Sequence, residues 1–94
     1  MKVTTESGFT QEVEPKKLKD HYFQKLFQLR GTPERNALAY EKAIEVVLGG
    51  EEGEERLCKH LEEIHGFAGE SEFWDELTEI MQLALKDEAK KSMP

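Results

Sequence analysis

The chain has 94 residues, a formal net charge of −7 and one cysteine, which bounds it to a single modest domain without room for a spacious active-site cleft. The lone Cys58 excludes an intramolecular disulfide and a cysteine-based metal cluster, and the acidic balance argues against nucleic acid or anionic lipid as a partner. No apolar run reaches the roughly 20 residues of a membrane helix and no apolar signal segment opens the chain, so a reducing, cytoplasmic compartment is expected.

The charge is uneven. Residues 1–30 carry six Lys/Arg against four Asp/Glu, while residues 31–94 carry seven against sixteen. Such an acidic majority serves solubility or a basic protein partner.

In chain order, Lys2 to Thr5 and Phe9 to Val13 alternate around Ser7-Gly8, the pattern of a hairpin with Val3, Phe9 and Val13 on one apolar face. A frayed extended arm is the other reading of residues 1–14. Pro15 fits the first turn of a helix, carried to Arg30-Gly31 by the stripe Leu18, Tyr22, Leu26, Leu29 and widened by Phe23 and Phe27. Thr32 and Pro33 read as the cap and first position of a second helix, with Leu38, Ala39, Tyr40, Ala43, Ile44, Val47 and Leu48 as its buried side.

Gly49-Gly50 then closes that helix, since glycine tolerates the left-handed conformation of a helix end. Glu51, Glu52, Glu54 and Glu55 open a third helix at the positive end of its dipole, and Leu57, Leu61 and Ile64 form its narrow apolar stripe before Gly66. After the loop Gly66-Phe67-Ala68-Gly69, Ser71 is a candidate cap for a last helix whose core face is Phe73, Leu77, Ile80, Met81, Ala84 and Leu85. The expected fold is mainly α: one domain, a bundle of about four helices over residues 15–85, with an N-terminal β-hairpin signal and a frayed polar tail from Lys86.

The sequence offers no catalytic, cofactor or metal constellation. His60 and His65 flank Glu62-Glu63, but the spacing differs from the His-Glu-x-x-His that stacks two imidazoles over one metal, and both histidines read as solvated. The segment Gly49 to Gly53 has the wrong charge to cradle phosphate. Cys58 lies at the edge of a core stripe, where inert thiols are common. An enzyme is not expected. The candidate partner-binding residues are aromatic: Phe67, Phe73 and Trp74 crowd one loop and one helix edge, with Phe23 and Phe27 in reserve. The same five side chains are simply core if the monomer buries them.

Four stretches together carry a resemblance: Thr5-Glu6-Ser7-Gly8-Phe9, Asp20-His21-Tyr22-Phe23, residues 47–66 (VLGGEEGEERLCKHLEEIHG) and residues 76–80 (ELTEI). From about Thr5 to Leu85 the chain resembles the tail assembly chaperones, small proteins encoded in phage and prophage tail operons. Leu48, Gly49, Glu51 or Glu52, Leu57, His60 and Leu61 match the most specific pattern, L-G-x-E-x-x-x-x-L-x-x-H-L, although the doubled Gly49-Gly50 shifts its acid spacing. The loop Gly66-Phe67-Ala68-Gly69 also departs from the more polar, valine-containing turn of that pattern. The resemblance implies a small, helical, often self-associating protein of the host cytoplasm. It would coat the helical tape measure protein until tail-tube subunits replace it. Chaperones of that kind are often made in two lengths by a ribosomal frameshift, for which Lys90-Lys91 is a candidate slippage point; Lys-Lys is also an ordinary way to finish a helix. The competing expectation, kept open by the acidic excess, is an acidic inhibitor of a basic enzyme, either an immunity protein or a nucleic-acid mimic.

Overall fold

The alternation at the start of the chain closes into an antiparallel pair, β1 (Lys2–Thr4) and β2 (Thr10–Glu12), with Val3 opposite Gln11. The period of two sends Val3, Thr5, Phe9, Gln11 and Val13 inward, where all are buried, while Thr4 and Thr10 meet on the outer side with hydroxyls 3.3 Å apart. A two-stranded hairpin is marginal by itself; here it lies against the helices, and the arm reading is set aside. The computed structural model describes residues 1–28 and 33–92, with the side chains of 27, 33–35 and 88–92 outside the described set.

Five helices follow among the described residues: α1 (Pro15–Leu18), α2 (His21–Gln28), α3 (Pro33–Val47), α4 (Glu51–His65) and α5 (Glu70–Ser92). The helical bundle with its N-terminal hairpin is thus the observed fold. The last three helices pack on one another, α2 lies on α3, and α5 also supports β1 and α1. With a shortest extent of 19 Å, the domain is about two helix layers thick. The core joins Val3, Phe9 and Val13 to Leu18, Phe23, Ala43, Val47, Leu48, Leu57, Leu61, Phe73, Leu77 and Ile80.

Several expectations are corrected. The single helix expected from Pro15 to Arg30 is broken at Lys19-Asp20. The Asp20 carboxylate accepts the Phe23 amide at 2.9 Å, which caps α2, and the Gln24 side chain donates to the Leu18 carbonyl left open by the end of α1. The break rotates the stripe, so Phe23 is fully buried and Tyr22 is 56% exposed. Leu29 and the Thr32 cap lie outside the described residues.

On α3 the buried side runs through Ala39, Ala43, Val46 and Val47, leaving Leu38 exposed. On α4 the stripe stops at Leu61. Every residue from 62 to 68 is exposed, because the last turn of the helix overhangs the core. Glu70 begins α5, and the Phe73 amide donates to the Gly69 carbonyl at 2.9 Å, so Ser71 sits inside the first turn rather than capping it. Where fraying is expected from Lys86, the backbone stays helical to Ser92, as a stretch without Gly or Pro allows.

The corner between α3 and α4 is set by glycine. Gly49 and Gly50 hold φ of 77° and 123°, and the Gly50 amide donates to the Ile44 carbonyl at 3.0 Å. One turn later Gly53 is buried against the corner itself: a Cβ there would lie 2.0 Å from the Leu48 carbonyl oxygen. On an open helix face Gly→Ala gains about 0.5–1 kcal/mol. Gly53→Ala is expected to reverse that sign and cost about 1–3 kcal/mol, because backbone rather than a flexible side chain must move. The check is a lower urea midpoint at unchanged m-value.

Candidate functional site

The five aromatic candidates separate by burial. Phe23 and Phe73 are core side chains and offer no contact surface in this fold. The Phe27 side chain lies outside the described residues. Trp74 is half-buried, and Phe67 is 59% exposed even though its ring folds back against Gly69 at the start of α5. Two residues before the Gly66 cap, Ile64 is 46% exposed. Ile64, in the last turn of α4, and Phe67, in the loop just after its Gly66 cap, are therefore two exposed apolar side chains at this end of the helix, flanked in sequence by the exposed Glu62, Glu63 and His65. Sequence periodicity had assigned Ile64 to the core; only the position of α5 reveals that nothing covers it.

Trp74 belongs to a second arrangement. The Tyr40 ring on α3 stands 5.6 Å from Phe73 and 5.9 Å, nearly edge-on, from Trp74. The Tyr40 hydroxyl donates to Glu54 on α4, and the indole N–H of Trp74 donates to Glu70 at 3.1 Å. Between α3 and the start of α5 this leaves a shallow cleft of about 430 Å³ lined by Asn36, Ala37, Tyr40, Glu41, Glu70 and Trp74. Burial first, then the hydrogen bond and charge of Glu54, with smaller contributions from Cys58 and Glu70, hold the Tyr40 phenol protonated well above its ordinary range. Burial chiefly, with Glu54 and Glu62 adding, likewise raises the Cys58 thiol, which disfavours the nucleophilic thiolate.

A polar cluster at the hairpin tip joins residues that no motif spacing connects. The Ser7 hydroxyl donates to Glu76 Oε1 at 2.7 Å, lies 3.0 Å from His60 Nε2 and 3.0 Å from the Thr5 hydroxyl, and the Glu6 amide donates to Glu79 at 2.6 Å. His60, expected to be solvated, is half-buried with its ring 5.5 Å from Phe9. Serine, histidine and glutamate are the residue types of a hydrolytic triad, but their order differs. Ser7 stands between the other two and gives its single proton to the carboxylate, so His60 Nε2 must donate to Ser7 and has no proton to accept from it. The arrangement fastens the β1–β2 loop to α4 and α5. Its cost is one buried orphan, Glu76 Oε2, which has no hydrogen-bond partner.

On the same inward face of the hairpin, Gln11 donates to the Leu48 carbonyl at 3.3 Å and accepts from Arg56 at 2.6 Å, while the Arg56 guanidinium lies 5.6 Å from the Phe9 ring centroid. Arg56 is thereby committed to the fold. Among the described residues no group of His, Cys, Asp and Glu is arranged to hold a metal ion, and no helix is long and apolar enough to cross a membrane. Comparison of the chain with protein-family models gives no match, and comparisons with curated proteins and with solved structures give none either.

Two outcomes follow from this geometry. Ser7→Ala should cost about 1–3 kcal/mol, because it leaves Glu76 with both oxygens unpaired in a buried place. Adding Glu76→Leu should recover most of that loss, since an apolar group in place of the stranded carboxylate removes the penalty, and a double-mutant cycle by urea denaturation reads both. For Tyr40, the folded protein holds the phenol proton more tightly than the unfolded chain does. The stability this supplies is complete below the ordinary tyrosine value near 10 and is lost as pH rises from there toward the folded value. Tyr40→Phe should therefore flatten the alkaline fall of the denaturation midpoint from about pH 10 upward, and leave it unchanged below that, relative to the parent.

Proposed function

We propose that this chain is a non-enzymatic assembly chaperone of the phage-tail type, which covers apolar faces of a long helical client such as a tape measure protein. The observation that carries the reading is the exposure of Ile64 and Phe67 at the end of α4, beside carboxylates. Two exposed apolar side chains flanked by charge suit the apolar stripe of an amphipathic helix. The acidic surface keeps a complex of many copies dispersed by mutual repulsion. The sequence resemblance supplies the choice of client.

The rival reading, an acidic inhibitor, calls for an uninterrupted carboxylate surface. On the outer face of α4, Glu52, Glu55 and Glu62 share one shallow depression with Arg56 and Lys59, and the cations break the continuity a phosphate mimic needs.

The test is co-expression with a phage tape measure protein, followed by co-elution. The expected result is a soluble complex that weakens about tenfold or more on Ile64→Asp with Phe67→Asp. Charge reversal of Glu51, Glu52, Glu54 and Glu55 should act only modestly. Survival of the complex in the double variant would overturn the reading, and collapse on charge reversal would favour the inhibitor. Sedimentation across a concentration series reports self-association through the same two side chains.

A further inference from the structure

Gly69 holds a place that backbone geometry does not explain. Gly8, Gly49, Gly50 and Gly66 adopt left-handed φ, and Gly53 is pressed against the Leu48 carbonyl oxygen. Gly69 has no left-handed φ. It stands just before α5, its carbonyl accepting the Phe73 amide, at a position where Ser or Asn is the preferred cap. What excludes a side chain there is a pair of other side chains. A Cβ on Gly69 would lie 2.0 Å from Glu72 Oε2 and 2.8 Å from Cε2 of the Phe67 ring. Ring and carboxylate thus close over a buried glycine, an approach that only glycine permits. Phe67 belongs to a run, residues 62–68, that is exposed throughout, so the contact over Gly69 orients its ring.

We infer that Gly69 is a positioning residue for the docking surface of Ile64 and Phe67, and that the ring and carboxylate it seats together receive a lysine or arginine at the border of a partner helix's apolar stripe. The inference rests on the client-binding reading and adds a requirement on the client's sequence. An aromatic ring fixed before binding loses little freedom when a partner covers it, which is how a small surface gains affinity. Ile64 and the ring meet the apolar stripe, the aliphatic stem of the basic residue lies along the ring, and its charged head pairs with Glu72. Glu62 and Glu63, both exposed in the last turn of α4, extend the same charge. An acidic residue at that border would meet these carboxylates and be rejected, so complementarity of charge selects among helices that share an apolar stripe.

The probe is a fluorescein-labelled synthetic amphipathic peptide whose leucine stripe is bordered by lysines, with a twin in which those lysines are acetylated. Acetylation keeps the stem and removes the charge. Anisotropy titration should show the parent binding the lysine peptide about fivefold more tightly than its twin, and Glu72→Gln should remove most of that difference. Gly69→Ser and Gly69→Asn keep a helix cap but push the ring and carboxylate off their seat. Each should weaken the lysine peptide about tenfold while thermal melts stay level or rise. On a Phe67→Ala background Gly69→Ser should add almost nothing, because it acts through the ring.

Parent-like binding by Gly69→Ser and Gly69→Asn, a Gly69→Ser effect that persists in full without the Phe67 ring, or equal binding of the two peptides by the parent would overturn the inference. Loss of the fold in both cap variants would overturn it as well, since Gly69 would then serve the fold alone. The client reading fails separately. It falls if the Ile64→Asp, Phe67→Asp protein binds the lysine peptide as well as the parent does, and a parent that binds neither peptide overturns both.

Discussion

The Leu48 carbonyl is the point on which the rest of the structure depends. It sits where α3 has ended and α4 has not yet begun, and Gly53 comes so close that no side chain fits between them. The same oxygen accepts from Gln11, which in turn holds Arg56 of α4. One backbone group thus ties the two helices and the hairpin together. Leu48 and Leu57, on either side of the corner, are both fully or almost fully buried. If the corner opened, the apolar face of β1–β2 would lose its floor, and a two-stranded hairpin has little stability of its own. The glycines at 49, 50 and 53 therefore do distinct work: two turn the chain, and one permits the contact that the turn creates.

How much of this was legible in the sequence depended on whether the signal was local. Alternation through Val3, Phe9 and Val13 gave the hairpin, and the apolar spacing of Leu57 and Leu61, or of Phe73, Leu77 and Ile80, gave the buried faces, because period and burial are locally coupled. The Asp20 cap was equally local, yet the stripe through Tyr22 and Leu26 ran across it, and a strong period outweighed a single capping residue. Leu38 and Ile64 show the opposite limit: each fits its stripe, and only the extent of the neighbouring helix decides whether it is covered. The Ser7, His60 and Glu76 cluster and the Tyr40, Glu54 and Trp74 cluster join residues from three separate segments. No spacing rule reaches that far. A short polar loop, Thr5 to Gly8, between inward-facing apolar residues was the one available hint that Ser7 would meet something buried.

The fold also sorts the charge that composition alone left ambiguous. Lys16, Lys17, Lys19 and Lys42 border one shallow depression with Asp20 and Glu45, near the chain's beginning. The exposed glutamates of α4 and the start of α5 lie elsewhere and adjoin both the exposed Ile64 and Phe67 and the aromatic cleft. A net charge spread evenly would serve solubility and nothing more. Placing carboxylates beside uncovered apolar groups favours any partner that brings positive charge along with its apolar stripe.

That pairing bears on how tightly a chaperone of the proposed kind should hold its client. Such a protein must cover an apolar helix and later give it up, so deep burial of many side chains would be a disadvantage. Here the uncovered apolar groups are few, the cleft is shallow, and the attractive charges are exposed, where each ion pair is worth well under 1 kcal/mol in ordinary salt. Affinity built from many weak contacts along a long client is cooperative in number and yet yields locally, one copy at a time, to a competitor that binds more surface. The rigid part of the molecule, the corner at Leu48 and the fastened hairpin tip, then has a definite purpose. In the proposed reading, it would present Ile64 and Phe67 in the same orientation on every copy along the client.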